Sequence, residues 1–430
     1  MKRLYLPFLL LLLTILACSN TTNMPTPGIE NEPAIPTSTL TPEPTADNTP
    51  ALDLWYLTRG DVKSDQAWGI DTDSLGNVYV AAYMQQPASR NFYDMVIYKF
   101  SPEGKELWQT QWGGVFQEKA FIVTVDEPYL YVGGLVHTQI SLIEADMAIL
   151  SLNMETGEIL WDFSWGQGFG YEEVDGLFVD GEDIYVSGWT AGEKTDGDIA
   201  VLKLDKNGNL VWVNTWGTDG FDSADGQMVV DENAIYISGR LDADNMFTGG
   251  DAVLVKFSKE DGEYLNHTTW GGNAFDDGFG LTSDGNFLYM VGLTISYGNG
   301  GQIFLLKYDK DMNLVWDEIW CGPKGESARV VEVDADGNIL VAGSTASYGN
   351  GEDDVVVLQF SPTGKLNFFQ TWGGPLVDAV HGLAIDGNYA YLVGNTASFE
   401  IGLSDDLVLK IDRRNGKFPD IEFGRIFIEQ

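Results

Sequence analysis

Apolar runs of strand length recur along the chain in sets of four, with turn residues between them. One set reads "GLFV", "DIYVSGW", "DIAVLKL" and "LVWVNTW" between residues 176 and 216. Bounded apolar or alternating runs of this length predict β-strands. Between the third and fourth runs stand "SPEG", "METG", "DKNG", "KEDG", "SPTG" and "RRNG", where Gly supplies the positive φ that a tight hairpin needs. Only "DKDMN" at 309–313 departs, with Met312 in the glycine place. The third runs ("MVIYKF", "IAVLKL", "AVLVKF", "IFLLKY", "VVVLQF", "LVLKI") are apolar at nearly every position. A half-exposed sheet would alternate, so these strands are expected to be buried on both faces, each small sheet lying between two others.

The sets repeat. A tryptophan ends the fourth run at Trp112, Trp165, Trp216, Trp270, Trp320 and Trp372, 50 to 54 residues apart, and Phe423 stands in the same place last. A period near fifty marks one supersecondary unit copied seven times, beginning near Gln66, Ala120, Asp175, Asp225, Phe279, Val330 and His381. Seven four-stranded units packed radially predict an all-β fold, a seven-bladed β-propeller of antiparallel blades over residues 52–430. The recurring tryptophan is expected to fill the space between adjoining blades. Two segments read as an outer strand able to close the ring: "LDLWYLTRG" at 52–60, with Arg59 in the tryptophan position, and "KFPDIEFG" at 417–424. Pro419 costs the second a ladder donor, so the N-terminal strand is the one expected to complete the seventh sheet.

"DGNILVAGSTASYGNGEDDVVVLQFSPTGKLNFFQTWGG" at 336–374 resembles the SBBP repeat, a seven-bladed propeller repeat of bacterial surface proteins. The shared elements are the "GN" turn, "V-x-G-x-T-x-S" after the second run, Asp before the third, and the "G-x-L…WGG" ending. The likeness covers about 66 to 424 and is clearest in units three to seven; unit one lacks the Thr-x-Ser loop and unit two the "GN" turn. It implies a scaffold and carries over no catalytic residue. "METGEILW" at 154–161 is similar to the docking segment of quinoprotein propellers and their non-catalytic outer-membrane relatives. An enzyme of that kind needs a metal-and-quinone site, and no cluster in the sequence supplies one.

Charge and the N-terminus narrow the function. With 64 acids against 24 bases the formal charge is -40, which excludes nucleic acid and direct binding to an anionic membrane face. Cations, neutral glycans or a basic protein patch remain as partners. Lys2 and Arg3 precede an apolar stretch, Leu9 to Leu16, too short to span a bilayer. The residues Ile15, Leu16, Ala17 and Cys18 that follow resemble the bacterial lipobox. The resemblance implies a signal peptide at 1–17 and lipidation of Cys18 as the first mature residue. Residues 18–51, rich in Thr and Pro, cannot bury enough to offset their ordering entropy and predict a disordered tether. The expected location is the cell envelope, outside the cytoplasm, with the membrane engaged through lipidated Cys18.

Candidate chemistry is sparse. No zinc, hydrolase or phosphate-loop motif occurs, and "GQGFG" at 166–170 opens no helix. His137, His267 and His381 fall in different units. Cys321, the only cysteine besides Cys18, stands where other units have Gly and reads as a small buried residue. The sharper pattern is acidic. Asp65, Glu118, Asp222, Asp276, Glu326 and Asp378 stand six residues after the tryptophan positions, and Glu172 fills the same role with one residue inserted. A second acid precedes most third runs: Asp94, Asp146, Asp198, Asp251, Asp354 and Asp406, with Gln302 the exception. In a propeller both belts open on one rim, and the first is expected to form a ring of seven carboxylates converging on the axis. They are read as acceptors for loop amides, with a cation site or an acidic face for a basic partner as the functional alternative. No cofactor or metal is implied; calcium is the ion such carboxylates would suit, although no complete EF-hand loop is present. The function expected is a non-catalytic binding or scaffold protein for an envelope protein or other extracellular macromolecule. Aromatics between second and third runs (Trp189, Tyr297, Tyr348, Phe399) leave a repeat lectin as the alternative, and a quinoprotein-like enzyme behind it.

Overall fold

The computed structural model describes residues 53–60, 64–86, 92–138, 144–168, 170–191, 197–242, 249–298, 300–399 and 404–421. Residues 1–17, expected to be a signal peptide, Cys18, the Thr/Pro-rich stretch and Phe423 lie outside the described residues. Seven antiparallel sheets are present, one per repeat, six of them running from inner to outer strand in chain order. Blade 1 comprises Asp65–Thr72, Val78–Gln85, Tyr93–Phe100 and Glu106–Trp112. Blade 4 splits its inner strand into Phe221–Ser223 and Met228–Val230. Blade 7 takes its outer strand from the other end of the chain: Trp55–Arg59 pairs antiparallel with Asp405–Asp412, with Arg59 opposite Asp406. The ring therefore closes through the N-terminal strand, as the sequence led us to expect.

Third strands are buried on both faces; Asp354–Phe360 is buried at every position. Outer strands are not, and Glu106–Trp112 alternates between exposed and half-buried residues. The core is divided into clusters, each shared by two neighbouring blades. Tyr79, Met95 and Ile97 of blade 1 pack with Val123, Leu130 and Leu150 of blade 2, and Trp112 packs against them. Trp165, Trp216, Trp270, Trp320 and Trp372 occupy the same place in the next five interfaces. A fully buried apolar side chain contributes roughly 1.5–3 kcal/mol, so stability accumulates interface by interface.

A second tryptophan, four residues earlier, latches four of the blades to the next. Trp55, Trp108, Trp161 and Trp212 donate from Nε1 to the carbonyls of Pro102, Met154, Lys206 and Glu260, at 3.0 to 3.1 Å. These acceptors belong to the turns between third and fourth strands. The indole also lies on the turn glycine: a Cβ at Gly157 would strike Trp108, and one at Gly208 would strike Trp161. Blade 5 shows the reason for its exception. Its turn has Met312 at φ 64, the only non-glycine with positive φ among the described residues. The blade before it carries Asn266 at the latch position, paired with Lys256 as Trp212 is with Lys203. Where the indole is missing, the buried Met312 side chain fills the interface instead.

Candidate functional site in the central channel

Asp65, Glu118, Glu172, Asp222, Asp276, Glu326 and Asp378 each begin an inner strand, or in blade 4 follow its first residue, and all are buried. They do not converge on the axis; none lines the central channel. The amides of Asp65, Glu172, Asp222, Asp276, Glu326 and Asp378 donate to carbonyls of the preceding blade at 2.7 to 3.0 Å. Their carboxylates turn back into the rim. Gly114, Thr218, Gly272, Gly322 and Gly374 donate backbone N–H groups to Glu118, Asp222, Asp276, Glu326 and Asp378. Thr190, Thr294, Thr345 and Thr396, at the ends of second strands, donate hydroxyls to Glu172, Asp276, Glu326 and Asp378. Ser296 and Ser398 add a second hydroxyl to Asp276 and Asp378, at 2.6 and 2.7 Å. The repeated "T-x-S" and "WGG" residues are thus the donor set of one repeated carboxylate. Burial pushes Glu118 and Glu172 up to about 7.

The second belt meets the first in pairs. A Cβ at Gly113, Gly217, Gly271 or Gly373 would collide with one acid from each belt, as with Asp354 and Asp378 at Gly373. In blade 7 the register places Asp405, not Asp406, in this belt: Asp405 lies opposite Thr396 and against Gly60, beside Asp65. Two adjacent aspartates made the sequence reading slip by one. Asp406 instead takes the core-facing position held by Met95, Met147, Ile199, Ala252, Ile303 and Val355 in the other blades.

Other candidates are engaged in packing. Tyr297, Tyr348 and Phe399 lie 5.1, 5.5 and 5.0 Å from Trp270, Trp320 and Trp372. Trp189 stacks on Tyr171 at 5.4 Å and donates to Glu173 at 2.9 Å. His137 meets Tyr171 edge-on, His267 pairs with Tyr264 at 2.7 Å, and Cys321 is buried.

The residues that face the axis stand three positions after each rim acid. The inner strands of six blades carry a β-bulge there, at Trp68, Phe121, Asp175, Phe279, Arg329 and His381. In blade 4, Asp225 sits in the gap between the two inner segments. A bulge re-aims the side chain out of the alternating pattern. All seven line a cavity of about 1100 Å³ enclosed by the inner strands.

Its wall is asymmetric. On blades 7, 1 and 2, Trp68 stacks on His381 at 4.2 Å and meets Phe121 edge-on at 5.5 Å. Burial pulls His381 down to about 4, so it is neutral at physiological pH. The wall of blades 3 to 6 is charged. One carboxylate oxygen from each of Glu173, Asp175 and Asp225 lies within 4.8 Å of the others. Asp277, buried behind them next to Asp225, pairs with Arg240 at 3.4 Å. Arg329 stacks on Phe279, its Cζ 4.1 Å from the ring centre. Deeper in the channel, burial raises Asp71 to about 6 and Glu332 to about 7. The sequence showed no such cluster because it joins two repeats and its members do not recur. The signal available was the one residue, three after each acid, that changes from blade to blade while its neighbours repeat.

No curated protein matches the chain. Among solved structures, the β-propeller domain of the Trilobed protease from Pyrococcus furiosus aligns over 86% of this chain and 100% of its own, with a TM-score of 0.50 and 10% identity. The WD40 β-propeller domain of Doa1 aligns over 83% and 96%, with a TM-score of 0.51 and 13% identity. At such identities the fold alone is shared. The sequence model of one family, described as outer membrane protein assembly factor BamB, matches residues 94–418. That match takes in blades 2 to 6 whole and parts of 1 and 7, and on it the chain belongs to the BamB family.

Proposed function

We propose that this chain is a lipid-anchored propeller of the bacterial cell envelope that works as a non-catalytic, protein-binding scaffold. Membership of the BamB family carries the reading. The lipobox-like residues ending at Cys18 and the Thr/Pro-rich stretch after it support an anchored domain held away from the lipid. The SBBP-like repeat agrees: its recurrent residues serve blade packing and rim hydrogen bonds, leaving the non-repeating channel and loop residues for recognition. The formal charge of -40 favours a partner with a basic surface. The lectin alternative is weakened by the packing of Tyr297, Tyr348 and Phe399 onto tryptophans.

Photo-crosslinkers placed on intact cells at Val115 and Leu376, exposed on the rim-acid face, and at Leu75 on the opposite face, test this. Capture of one identified envelope protein from a single face is expected, and Cys18→Ser should release the protein from the membrane fraction. Absence of any captured protein, with saturable binding on a glycan array, would establish the lectin instead.

A further inference from the structure

We infer that the charged wall of the channel is a calcium site, formed by Glu173, Asp175 and Asp225 with Asp277 beside them. Three carboxylates from blades 3 and 4 present oxygens within 4.8 Å of one another. Calcium takes oxygens at about 2.3–2.6 Å, so two ligands of one ion stand at most about 5 Å apart. The donors are all hard oxygens, which select calcium, magnesium or manganese over zinc or copper.

Two further observations point to a missing cation. Asp277 is 2 % exposed, and while its Oδ2 meets Arg240, its Oδ1 has no hydrogen-bond donor among the described residues. Asp225 is its strongest like-charged neighbour. Asp175 Oδ2 is likewise enclosed without a donor. Glu173 and Asp225, by contrast, are oriented by Trp189 Nε1 at 2.9 Å and Ser223 Oγ at 2.6 Å. Such side contacts hold a ligand carboxylate while leaving its other oxygen free.

The cations nearby offset the group only in part, Arg329 acting on Asp175, Asp225 and Asp277 and Lys119 on Glu173 without direct contact. Arg240 is engaged with Asp277, Lys119 lies over the rings of Tyr83 and Tyr93, and Arg329 stacks on Phe279. Among the described residues none of the three forms an ion pair with Glu173, Asp175 or Asp225. Four carboxylates against three cations leave a negative balance, and like charges this close repel unless a cation or protons intervene.

Calcium added to chelator-stripped protein at constant ionic strength tests the site. A saturable rise in melting temperature is expected, about 3 °C when free calcium is about a hundredfold above its dissociation constant. Terbium should bind in the same place and show emission sensitised by Trp189. Asp175→Asn and Glu173→Gln should abolish both responses, whereas Asp222→Asn on the rim should keep them. In chelator Asp175→Asn should melt no lower than wild type, since it removes an unneutralised carboxylate; that separates lost binding from misfolding. No saturable response up to 10 mM calcium (about a hundredfold above a 0.1 mM site), or a response lost in Asp222→Asn but kept in Asp175→Asn, would overturn the assignment.

Discussion

At the residue scale, the exchange of Trp for Asn266 and Gly for Met312 is a coupled pair within one repeat family. A non-glycine in the left-handed region costs about 1–2 kcal/mol. Burying a methionine side chain contributes roughly 1.5–3 kcal/mol, and Met312 is buried. Burial wins, so Met312→Gly should destabilise by about 1 kcal/mol although it restores the residue the other turns use. Asn266→Trp alone would bring an indole onto Met312. The double substitution recreates the Trp–Gly latch and should recover what each single change loses. Chemical denaturation of all four proteins measures the coupling; strictly additive effects would show that the two positions do not share space.

At the element scale, ring closure hangs on a five-residue strand that brings Arg59 where the other blades have tryptophan. Arg59 stacks over Tyr98 at 4.7 Å and reaches Glu106 and Gln109 on the outer strand of blade 1. Its register partner Asp406 is left inside. Both of its carboxylate oxygens are buried and accept no hydrogen bond of good geometry among the described residues, although the Tyr98 hydroxyl lies close enough to ease the burial. Burial, then the charge of Asp65, holds its carboxyl well above the usual range, with Arg59 offsetting part of the effect. An unsatisfied buried polar group costs about 1–3 kcal/mol. Asp406→Val, which installs the residue blade 6 has at this position, should therefore raise stability by about 1–2 kcal/mol. A melting temperature below wild type would show that the carboxyl makes a bond the closure needs.

At the scale of the whole molecule, the buried acids set the pH dependence of stability. Burial raises Asp71 from 3.8 to about 6, and Glu332, Glu118 and Glu172 from 4.5 to about 7. Groups raised in the folded state stabilise it fully below their unfolded values near 4, and that contribution is lost as pH climbs through 6 to 7. His381 acts oppositely: with 6.5 unfolded and about 4 folded, its contribution is present above 6.5 and lost as pH falls toward 4. Four carboxylates outweigh one imidazole, and the excess of acids over bases adds self-repulsion at high pH. In chelator, the melting temperature should be a few degrees higher at pH 5.5 than at pH 7.5, with a smaller difference in Glu332→Gln. A protein that melts lower at pH 5.5 would show that neutral His381 governs the channel.

What the sequence determined by itself were the features copied from blade to blade. The fifty-residue period, the doubly buried third strands, the turn glycines and the interblade tryptophans are local requirements of one blade, and repetition makes each visible. Even the exception at Met312 could be read in advance, and closure by the N-terminal strand followed from the ladder donor that Pro419 denies to the C-terminal candidate. The seven rim acids were visible for the same reason, but their direction was not. Alternation along a strand separates two faces without saying which neighbour each face will meet, so Asp222 and Asp276 read equally well as ring or as rim. Only closure of the sheets into a ring decided that, and the bulges then turned Trp68, Asp175, Arg329 and His381 onto the axis. Glu173, Asp175 and Asp225 come together because two blades some fifty residues apart in the chain are neighbours in space. Their juxtaposition exists in no repeat singly; it is a property of the circle.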